Sequence, residues 1–406
     1  MLAVHQFLWL ALAFAGAQDP RPRDDVASGP RVVLESATGE RKALALATLD
    51  TQDPRTIGGQ RLRFEGLGGP PRAEAGEQRA QIQLSDGDRL RGRVRGGREE
   101  WIQVELAGGV RVEVIIDEIS SIVWPARVEG LWTETPKAPA EGDRLYRKTR
   151  DVLDTIEGGV EAFTSEGVQF HGTVLGSKQI PWGEVAALFI EHLPHKDDGG
   201  NANPGVRVVV DGFDETRLSG ELVRLTGEAC IIRRKYSGEI SIPLATISGL
   251  LVDDGAIAYL SSLAPSDVGQ SSPFGDDLGI QWPARFDRSV TNTPLVVGGR
   301  TYARGVGVHA PSKLSWKLDG GFRTLRGLVG VDDQVLRLPA RGSVIFRVHL
   351  DGKPVWESPV VRGGDAALAL PAIDVSSARE LVLEADVGPD SFVADRANWL
   401  DVVLAR

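Results

Sequence analysis

Cysteine and methionine are almost absent from this sequence of 406 residues, which has one of each. A single cysteine cannot form an internal disulfide, and no CxxC pair is present. Cys230 lies in the alternating stretch EACIIRRK, a pattern that predicts a buried strand thiol rather than a reactive one. Disulfide scaffolds and dithiol redox motifs are therefore excluded.

An excess of positive charge is also lacking, since the net charge is −10. Residues 256–406 carry 16 Lys and Arg against 17 Asp and Glu, whereas residues 1–255 carry 30 against 39. Nucleic acid binding normally needs a basic face or stripe, so we predict no nucleic acid partner. Four arginines at every second position lie on one face of a predicted strand: Arg89, Arg91, Arg93 and Arg95. We interpret this face as solvated, with a binding site for a polyanion as the alternative.

No apolar run reaches the roughly 20 residues that a transmembrane helix needs. The run at 7–17 is shorter and ends in Ala15-Gly16-Ala17, a small-x-small cleavage pattern, although Lys and Arg are missing before it. It predicts a signal peptide over 1–17, with a short buried element as the alternative. A polar, Pro-rich linker follows over 18–30. We therefore expect an exported protein that is secreted, periplasmic or associated with the cell envelope.

Catalytic signatures are missing as well, because no HExxH, GxSxG or P-loop pattern occurs. Two distant carboxylates that meet only in the fold would escape such a search. The sequence favours a protein without enzymatic activity and leaves an unrecognised hydrolase as an alternative.

Helical periodicity is hard to find, and short alternating runs separated by Gly, Asp and Asn predict a mainly β chain. Three segments of 40–50 residues repeat a pattern of about five short strands, which predicts small β-barrel-like repeats at 79–128, 146–192 and 205–254, with a partial copy at 31–78. Their strand rhythm weakly resembles SH3-like or Sm-like barrels.

Residues 256–406 differ from the repeats and hold four of the nine tryptophans. About eight alternating runs with short turns predict one antiparallel sandwich or jelly roll. In the stretch RGVGVH, Gly305 and Gly307 bare one strand face for a neighbouring loop or a ligand, while Val306 and Val308 pack inward.

Six ordered motifs in this region resemble the NPCBM domain, a carbohydrate-binding module also attached to family 98 glycosyl hydrolases. They are YLSSLAP (259–265), W-x4-D (282–287), YARGVGVHAPSKLSWKL (302–318), GLVGVDD (327–333), GSVIFRVHLDGKPVWES (342–358) and ADRANWLDVVLA (394–405). The resemblance implies a galactose-binding-like β-sandwich, often with a structural calcium. The last motif departs from the family pattern, with Arg396 in place of His and Asn398 in place of Asp, so the usual specificity is not implied.

Sugar recognition needs an aromatic face for the ring and planar polar groups for the hydroxyls. The candidate ligand-binding residues are Trp282, His309, Asp332, Asp333, Trp356, Asp395, Arg396, Asn398 and Trp399. Core packing is the alternative for each tryptophan, a loop cap for His309, and a turn for the Asp332-Asp333 pair. Asp287 and Asp401 are the candidate calcium ligands, because calcium takes hard oxygen ligands.

The function predicted from the sequence is that of an exported, non-catalytic protein whose C-terminal sandwich binds a glycan or glycoconjugate. A structural or scaffolding protein of the cell envelope, whose sandwich contacts another envelope protein, is the first alternative. A glycoside hydrolase accessory or an unrecognised hydrolase is the second.

Overall fold

The computed structural model describes residues 29–49, 61–67, 79–128, 138–150, 152–174, 176–191, 205–270, 282–390 and 392–406. The predicted signal peptide lies outside these residues, as does the predicted linker apart from residues 29 and 30. Within the described ranges, no helix combines the length and the apolar character that crossing a membrane requires. The prediction of a mainly β fold is confirmed, because strands dominate and the α-helix α1 is one turn long, Pro125–Val128.

The first 18 strands belong to the repeat region. Their bounds are β1 Arg31–Glu35, β2 Arg41–Ala45, β3 Arg61–Glu65, β4 Arg79–Leu84, β5 Arg89–Arg98, β6 Trp101–Glu105, β7 Arg111–Ile115, β8 Ile119–Val123, β9 Asp143–Thr149, β10 Val152–Phe163, β11 Gly167–Gly172, β12 Gly176–Pro181, β13 Val185–Phe189, β14 Arg207–Gly212, β15 Arg217–Leu225, β16 Ala229–Arg234, β17 Gly238–Pro243 and β18 Ile247–Val252.

Three units of five strands share one topology. In each, four strands pair in sequence, and the fifth returns antiparallel to the first, which gives the pairs β4–β8, β9–β13 and β14–β18. A short turn of 3-10 helix precedes the closing strand of the first and third units, at Ile116–Glu118 and Leu244–Thr246. Each unit thus has five strands, and the second begins with β9, ahead of residue 146; the predicted domain bounds stay predictions. Their resemblance to SH3-like or Sm-like barrels stays a prediction.

Alternating side chains explain why these segments form strands. In β4, Ala80, Ile82 and Leu84 are buried while the residues between them are partly exposed, as the period of two requires. The first unit is joined to the second by the pair β8–β13 and meets the third at one residue pair of β5 and β15, and the third is joined to the strands β1–β3 by the pair β18–β3. The repeats therefore form one continuous β structure.

The sandwich follows, and its strand bounds are β19 Ile257–Tyr259, β20 Asp267–Gln270, β21 Arg285–Phe286, β22 Leu295–Val297, β23 Arg300–Tyr302, β24 Gly305–His309, β25 Ser312–Lys317, β26 Thr324–Val331, β27 Ser343–Leu350, β28 Lys353–Glu357, β29 Val361–Arg362, β30 Leu368–Ala369, β31 Ile373–Asp374, β32 Glu380–Val387 and β33 Arg396–Ala405. The sequence predicts about eight strands here. The structure divides the region more finely, because several pairings are only two or three residues long.

Two sheets enclose the core of the sandwich. One has the order β21-β24-β33-β26-β30, and the other has the order β20-β25-β32-β27-β28. Trp316, Phe346 and Trp399 are fully buried between them. This arrangement confirms the predicted sandwich and leaves the loops at one end of β24 and β33 to form a site.

The repeats and the sandwich meet at a packed junction. Leu251, Ile257, Tyr259 and Val403 form a small apolar cluster there. The guanidinium of Arg61 lies 5.0 Å from the centroid of the Tyr259 ring. The sandwich is therefore held against the third unit and the strands β1–β3.

Candidate functional site

A group of polar and aromatic side chains lies at one end of β24 and β33. His309 ends β24, Arg396 begins β33, and the two residues are direct cross-strand partners. Trp282 stacks on the His309 ring with a centroid distance of 5.3 Å and an interplanar angle of 17°. The Arg396 guanidinium lies 5.9 Å from the centroid of the Trp282 ring. With Gln334, these three residues are here named the loop-end cluster.

The tautomer of His309 follows from its hydrogen bond. Its Nδ1–H donates to the carbonyl oxygen of Ala310 at 2.8 Å, because a carbonyl can only accept. Burial lowers the pKa of His309, the hydrogen bond partly opposes this, and the nearby Arg396 lowers it further. The ring is therefore neutral near pH 7 and offers Nε2 as an acceptor, while Arg396 offers donors beside it.

Gln334 organises the cluster and was not selected from the sequence. Its Oε1 accepts from Nη1 of Arg396 at 3.1 Å and from the hydroxyl of Thr291 at 2.6 Å. Its Nε2 donates to the hydroxyls of Thr293 and Ser289. The amide thus fixes Arg396 relative to the loop before β22. The signal that points to it is its position directly after the Asp-Asp pair of the motif GLVGVDD.

The Asp-Asp pair shapes the backbone beside the cluster. Asp332 is fully buried, caps the short 3-10 helix by accepting from the amide N–H of Gln334, and accepts from Nδ2 of Asn398 at 2.8 Å. Burial raises the pKa of Asp332. Asp333 accepts from the amide N–H groups of Gly298 and Gly299 at 3.0 and 2.7 Å. Both carboxylates and the Asn398 amide thus support loops next to the cluster.

The predicted aromatic candidates divide into two kinds. Trp399 is fully buried in the core, since its relative exposure to solvent is 0% and its ring packs edge to face on Phe346 with a centroid distance of 5.1 Å. Trp356 is half-buried and packs at the edge of the core on β28. Trp282 has a partly exposed ring that contacts the candidates His309 and Arg396, whereas the Trp399 ring has no exposed face on which a sugar could pack.

Asp395 lies beneath the loop end and is fully buried. Its Oδ1 accepts from the amide N–H of Ser343 at 2.7 Å, while its Oδ2 has no hydrogen-bond partner. Burial raises the pKa of Asp395 to about 7, and the charge of Asp390 adds to the effect. Asp395 directly precedes Arg396 of the loop-end cluster, and its carboxylate binds the backbone of β27.

The candidate calcium ligands lie at the junction. Asp287 accepts from Nη1 of Arg217 at 2.8 Å and from the amide N–H of Gly305 at 3.1 Å. Asp401 pairs with Arg63 and lies 3.4 Å from Nη2 of Arg61. No group of three or more His, Cys, Asp and Glu side chains suited to a metal occurs among the described residues. The structure does not bring the two aspartates to one site, and a structural calcium stays a prediction.

The two glycines of β24 accommodate a neighbouring loop. A Cβ on Gly307 would lie 2.4 Å from the carbonyl oxygen of Arg288, and one on Gly305 would lie 2.3 Å from the carbonyl oxygen of Trp399. Val306 and Val308 are buried on the other face. The bared face is therefore filled by protein backbone rather than left open to a ligand.

The arginine face of β5 is largely paired. Arg91 lies 3.9 Å from Glu215 of the third unit, and Arg95 pairs with Glu105 at 2.8 Å. Arg93 also has a partner. Arg89 differs, because its Nε donates a hydrogen bond to the backbone oxygen of Glu215 at 2.9 Å. Most arginines of this face therefore pair with glutamates of another unit or of the same unit, and they do not form a basic stripe that could bind a polyanion.

Comparison with known families identifies the sandwich. Residues 258–405 match the NPCBM/NEW2 domain, so the family resemblance seen in the sequence is confirmed for this region. A curated relative, "Alpha-1,3-galactosidase B" of Akkermansia muciniphila, is 37% identical over 123 residues, which is 29% of this chain and 15% of that protein. The chain thus spans only 15% of the length of this relative.

Solved structures of carbohydrate-binding modules are similar to the chain as well. One is CBM51 from Clostridium perfringens GH95 in complex with methyl-galactose, at 22% identity and a TM-score of 0.32, covering 37% of this chain and 99% of that chain. Another is the tandem CBM51 modules of the family 98 glycoside hydrolase of Streptococcus pneumoniae SP3-BS71, at 14% identity and a TM-score of 0.31, covering 80% of this chain and 87% of that chain.

Proposed function

We propose that the NPCBM/NEW2 domain of this chain binds a glycan through the loop-end cluster, and that the chain acts as an exported, non-catalytic binding protein. The family match of residues 258–405 supports a carbohydrate-binding role for the domain. The curated relative with the matching segment is an enzyme that acts on a galactoside by its name, so a glycan that contains galactose is the first ligand class to test.

The observation that carries this proposal is the stack of Trp282 on His309 with Arg396 beside it. A sugar presents a CH face that packs on an aromatic ring and hydroxyls that need planar donors and acceptors. The cluster supplies a partly exposed indole, the acceptor Nε2 of neutral His309, and the donors of Arg396. Trp282 would pack against the ring, and the two polar groups would take up hydroxyls.

The pairing of Arg396 supports this role. Arg396 donates to the neutral amide oxygen of Gln334, and no carboxylate among the described residues lies within ion-pair distance of it. Its remaining N–H donors are thus not committed to an internal charge. A short, partly open cluster makes few contacts, so we expect affinities of about 10 µM to 1 mM, or roughly −7 to −4 kcal/mol.

A glycan array with the full chain, followed by calorimetry on the selected sugar, tests the proposal. Trp282→Ala and His309→Ala are expected to weaken binding at least about tenfold, which equals about 1.4 kcal/mol. His349→Ala is the matched control, because this histidine lies on the outer face of the second sheet and pairs with Glu384 at 2.6 Å. It should bind like the parent.

Two results would contradict the proposal. If His309→Ala and Trp282→Ala bind as the parent does while Trp356→Ala does not, the site lies at the edge strand β28. If no glycan binds the folded chain with or without calcium, the scaffolding alternative replaces the glycan-binding role. Export is tested separately, since sequencing the mature N-terminus from the native host should give Gln18 as the first residue.

A further inference from the structure

The loop-end cluster contains a guanidinium group with free donors. Nη1 of Arg396 donates to the amide oxygen of Gln334 at 3.1 Å. The Nε and Nη2 atoms of Arg396 have no hydrogen-bond partner among the described residues, and neither nitrogen is fully buried. These two donors lie side by side on one edge of the planar guanidinium, an edge that suits the paired oxygens of a carboxylate or a sulfate group.

The carboxylates nearest in sequence to the cluster do not neutralise this charge. Asp332, Asp333 and Asp395 each accept hydrogen bonds from backbone N–H groups, and none of the three lies within ion-pair distance of Arg396. Burial raises the pKa of Asp395 to about 7, so this group carries only part of a negative charge near neutral pH. The positive charge of Arg396 is therefore left without a partner in the protein.

The electrostatics of His309 agree with this description. Burial lowers the pKa of His309, the charge of Arg396 lowers it further, and no carboxylate among the described residues acts against them. A nearby carboxylate would instead raise the pKa of a histidine. The loop end thus differs from the junction, where arginines pair with Asp211, Asp287 and Asp401.

A second arginine lies beside the cluster. The 3-10 helix Asp333–Arg337 contains Gln334 and Arg337, and side chains three residues apart in such a helix lie one above the other. Arg337 is exposed, and no carboxylate among the described residues lies within ion-pair distance of it. Its charge therefore adds to that of Arg396 on the side of the site where Gln334 lies.

We propose that the glycan bound at the loop-end cluster is acidic and that Arg396 binds its carboxylate or its sulfate ester. This inference rests on the proposed function, because Trp282 and His309 hold the sugar ring. The Arg396 guanidinium lies 5.9 Å from the centroid of the Trp282 ring, so one hexose can contact both groups. All three side chains are partly exposed, so no enclosed cavity limits the size of the acidic group.

The test compares galactose, sodium galacturonate and galactose 6-sulfate, which share one ring and differ at carbon 6. In calorimetry with the full chain at low ionic strength, we expect at least one acidic sugar to bind about fivefold tighter than galactose, because charge-assisted hydrogen bonds are stronger than neutral ones. Sodium chloride should reduce this preference, since salt screens exposed charges. The tighter of the two acidic sugars identifies the ligand as a carboxylate or a sulfate ester.

The variants are compared by the ratio of the affinities for the acidic sugar and for galactose, because Arg396 also contacts hydroxyls in the proposed function. Arg396→Gln should bring this ratio to about one, whereas Arg396→Lys should keep part of it, since lysine retains the charge but not the fork. Arg337→Gln should lower the ratio by a smaller factor. Arg379→Gln is the matched control, because Arg379 is an exposed arginine at the opposite end of the sandwich, just before β32.

The possible failures of the two proposals are distinguishable. Equal binding of the three sugars to the parent would overturn this inference and leave the glycan-binding proposal in place. An Arg396→Gln variant that keeps the parent's ratio would also overturn it, as would sodium sulfate that binds as tightly as galactose 6-sulfate, because a free anion would then be the ligand. If none of the sugars binds the folded chain, both proposals fail.

Discussion

The strands β24 and β33 carry two regions with opposite chemistry. At the loop end, His309 and Arg396 face each other as neutral acceptor and open donor. At the junction end, Arg304 and Asp401 are both engaged across the boundary with the repeats. The charged groups at the junction end of this strand pair thus stabilise packing, whereas hydrogen-bonding groups stay accessible at the loop end, about 17 Å away by strand rise.

The two regions differ in the groups that their carboxylates contact and not in the type of acidic residue. Aspartates at the junction face arginines, so their charge stabilises the contact between repeats and sandwich. Aspartates at the loop end accept backbone N–H groups, so they hold loops in place. In neither region does a carboxylate act as an isolated surface group, which is why the exposed polar groups of the loop-end cluster belong to His309, Gln334 and Arg396.

The strongest way to break the junction is Asp211→Ala. The buried Asp211 carboxylate accepts from Arg217 and Arg304, both at 2.8 Å. Removing it leaves the buried Arg304 without its carboxylate and Arg217 with Asp287 alone, so we expect a loss of about 3–5 kcal/mol in the free energy of unfolding. Chemical denaturation followed by tryptophan fluorescence measures it. Asp374→Ala is the control, because Asp374 is exposed and its carboxylate accepts from the amide and the hydroxyl of Ser376 in the same turn.

The pH dependence sharpens the same prediction. Burial opposes the charge of Asp211, but Arg304 and Arg217 outweigh it and hold its pKa below the ordinary value. A lowered pKa contributes stability that is present above the unfolded value of about 3.9 and is lost as the pH falls through the folded value. The stability of Asp211→Ala should therefore not show this decrease at acidic pH. A stability equal to that of the parent at pH 7 would mean that the junction is not formed as described.

Trp399→Ala tests whether Trp399 stabilises the core of the sandwich or belongs to the site at the loop end. The ring is fully buried against Phe346, so its removal should cost about 3–5 kcal/mol in stability. Trp282→Ala should cost far less, since its ring is partly exposed, yet it should weaken glycan binding. Melting curves and calorimetry on both variants make the distinction. A stable Trp399→Ala that has lost binding would return Trp399 to the site.

Local patterning predicted much of this fold. Alternation in β4 and in the segment Gly305–His309 gave the strands and their inward faces, and the repeat period gave the five-strand units. The short pairings of two or three residues were missed, because they lack enough residues to show a period. The stack of Trp282 on His309 joins positions 27 residues apart in the sequence, and the role of Gln334 depends on a loop path. Tertiary contacts, not local pattern, decide such pairs.

Asp395→Asn tests the support beneath the loop end through pH. The folded pKa of about 7 lies above the unfolded value, so the native state binds the extra proton between about pH 4 and 7. The parent therefore loses stability as the pH rises through that window and then levels off, whereas Asp395→Asn does not. Over this pH range, the difference in the free energy of unfolding between variant and parent should change by about 2–4 kcal/mol in favour of the variant. Parallel stability curves from pH 4 to 8 would contradict a buried, proton-binding Asp395.

The smallest effect is expected from removing calcium. Asp287 and Asp401 already face Arg217 and Arg63, and a cation would have to displace those guanidinium groups. A chelator should therefore change the stability of the parent by less than about 0.5 kcal/mol, whereas a calcium site filled at a hundredfold excess over its Kd would contribute about 2.7 kcal/mol. Melting curves of the full chain in calcium and in chelator measure this difference. Asp287→Asn and Asp401→Asn are the matched variants, because both should lose junction stability equally with and without calcium. A chelator effect near the larger value that disappears in either variant would show that the carboxylate serves a metal and not the junction.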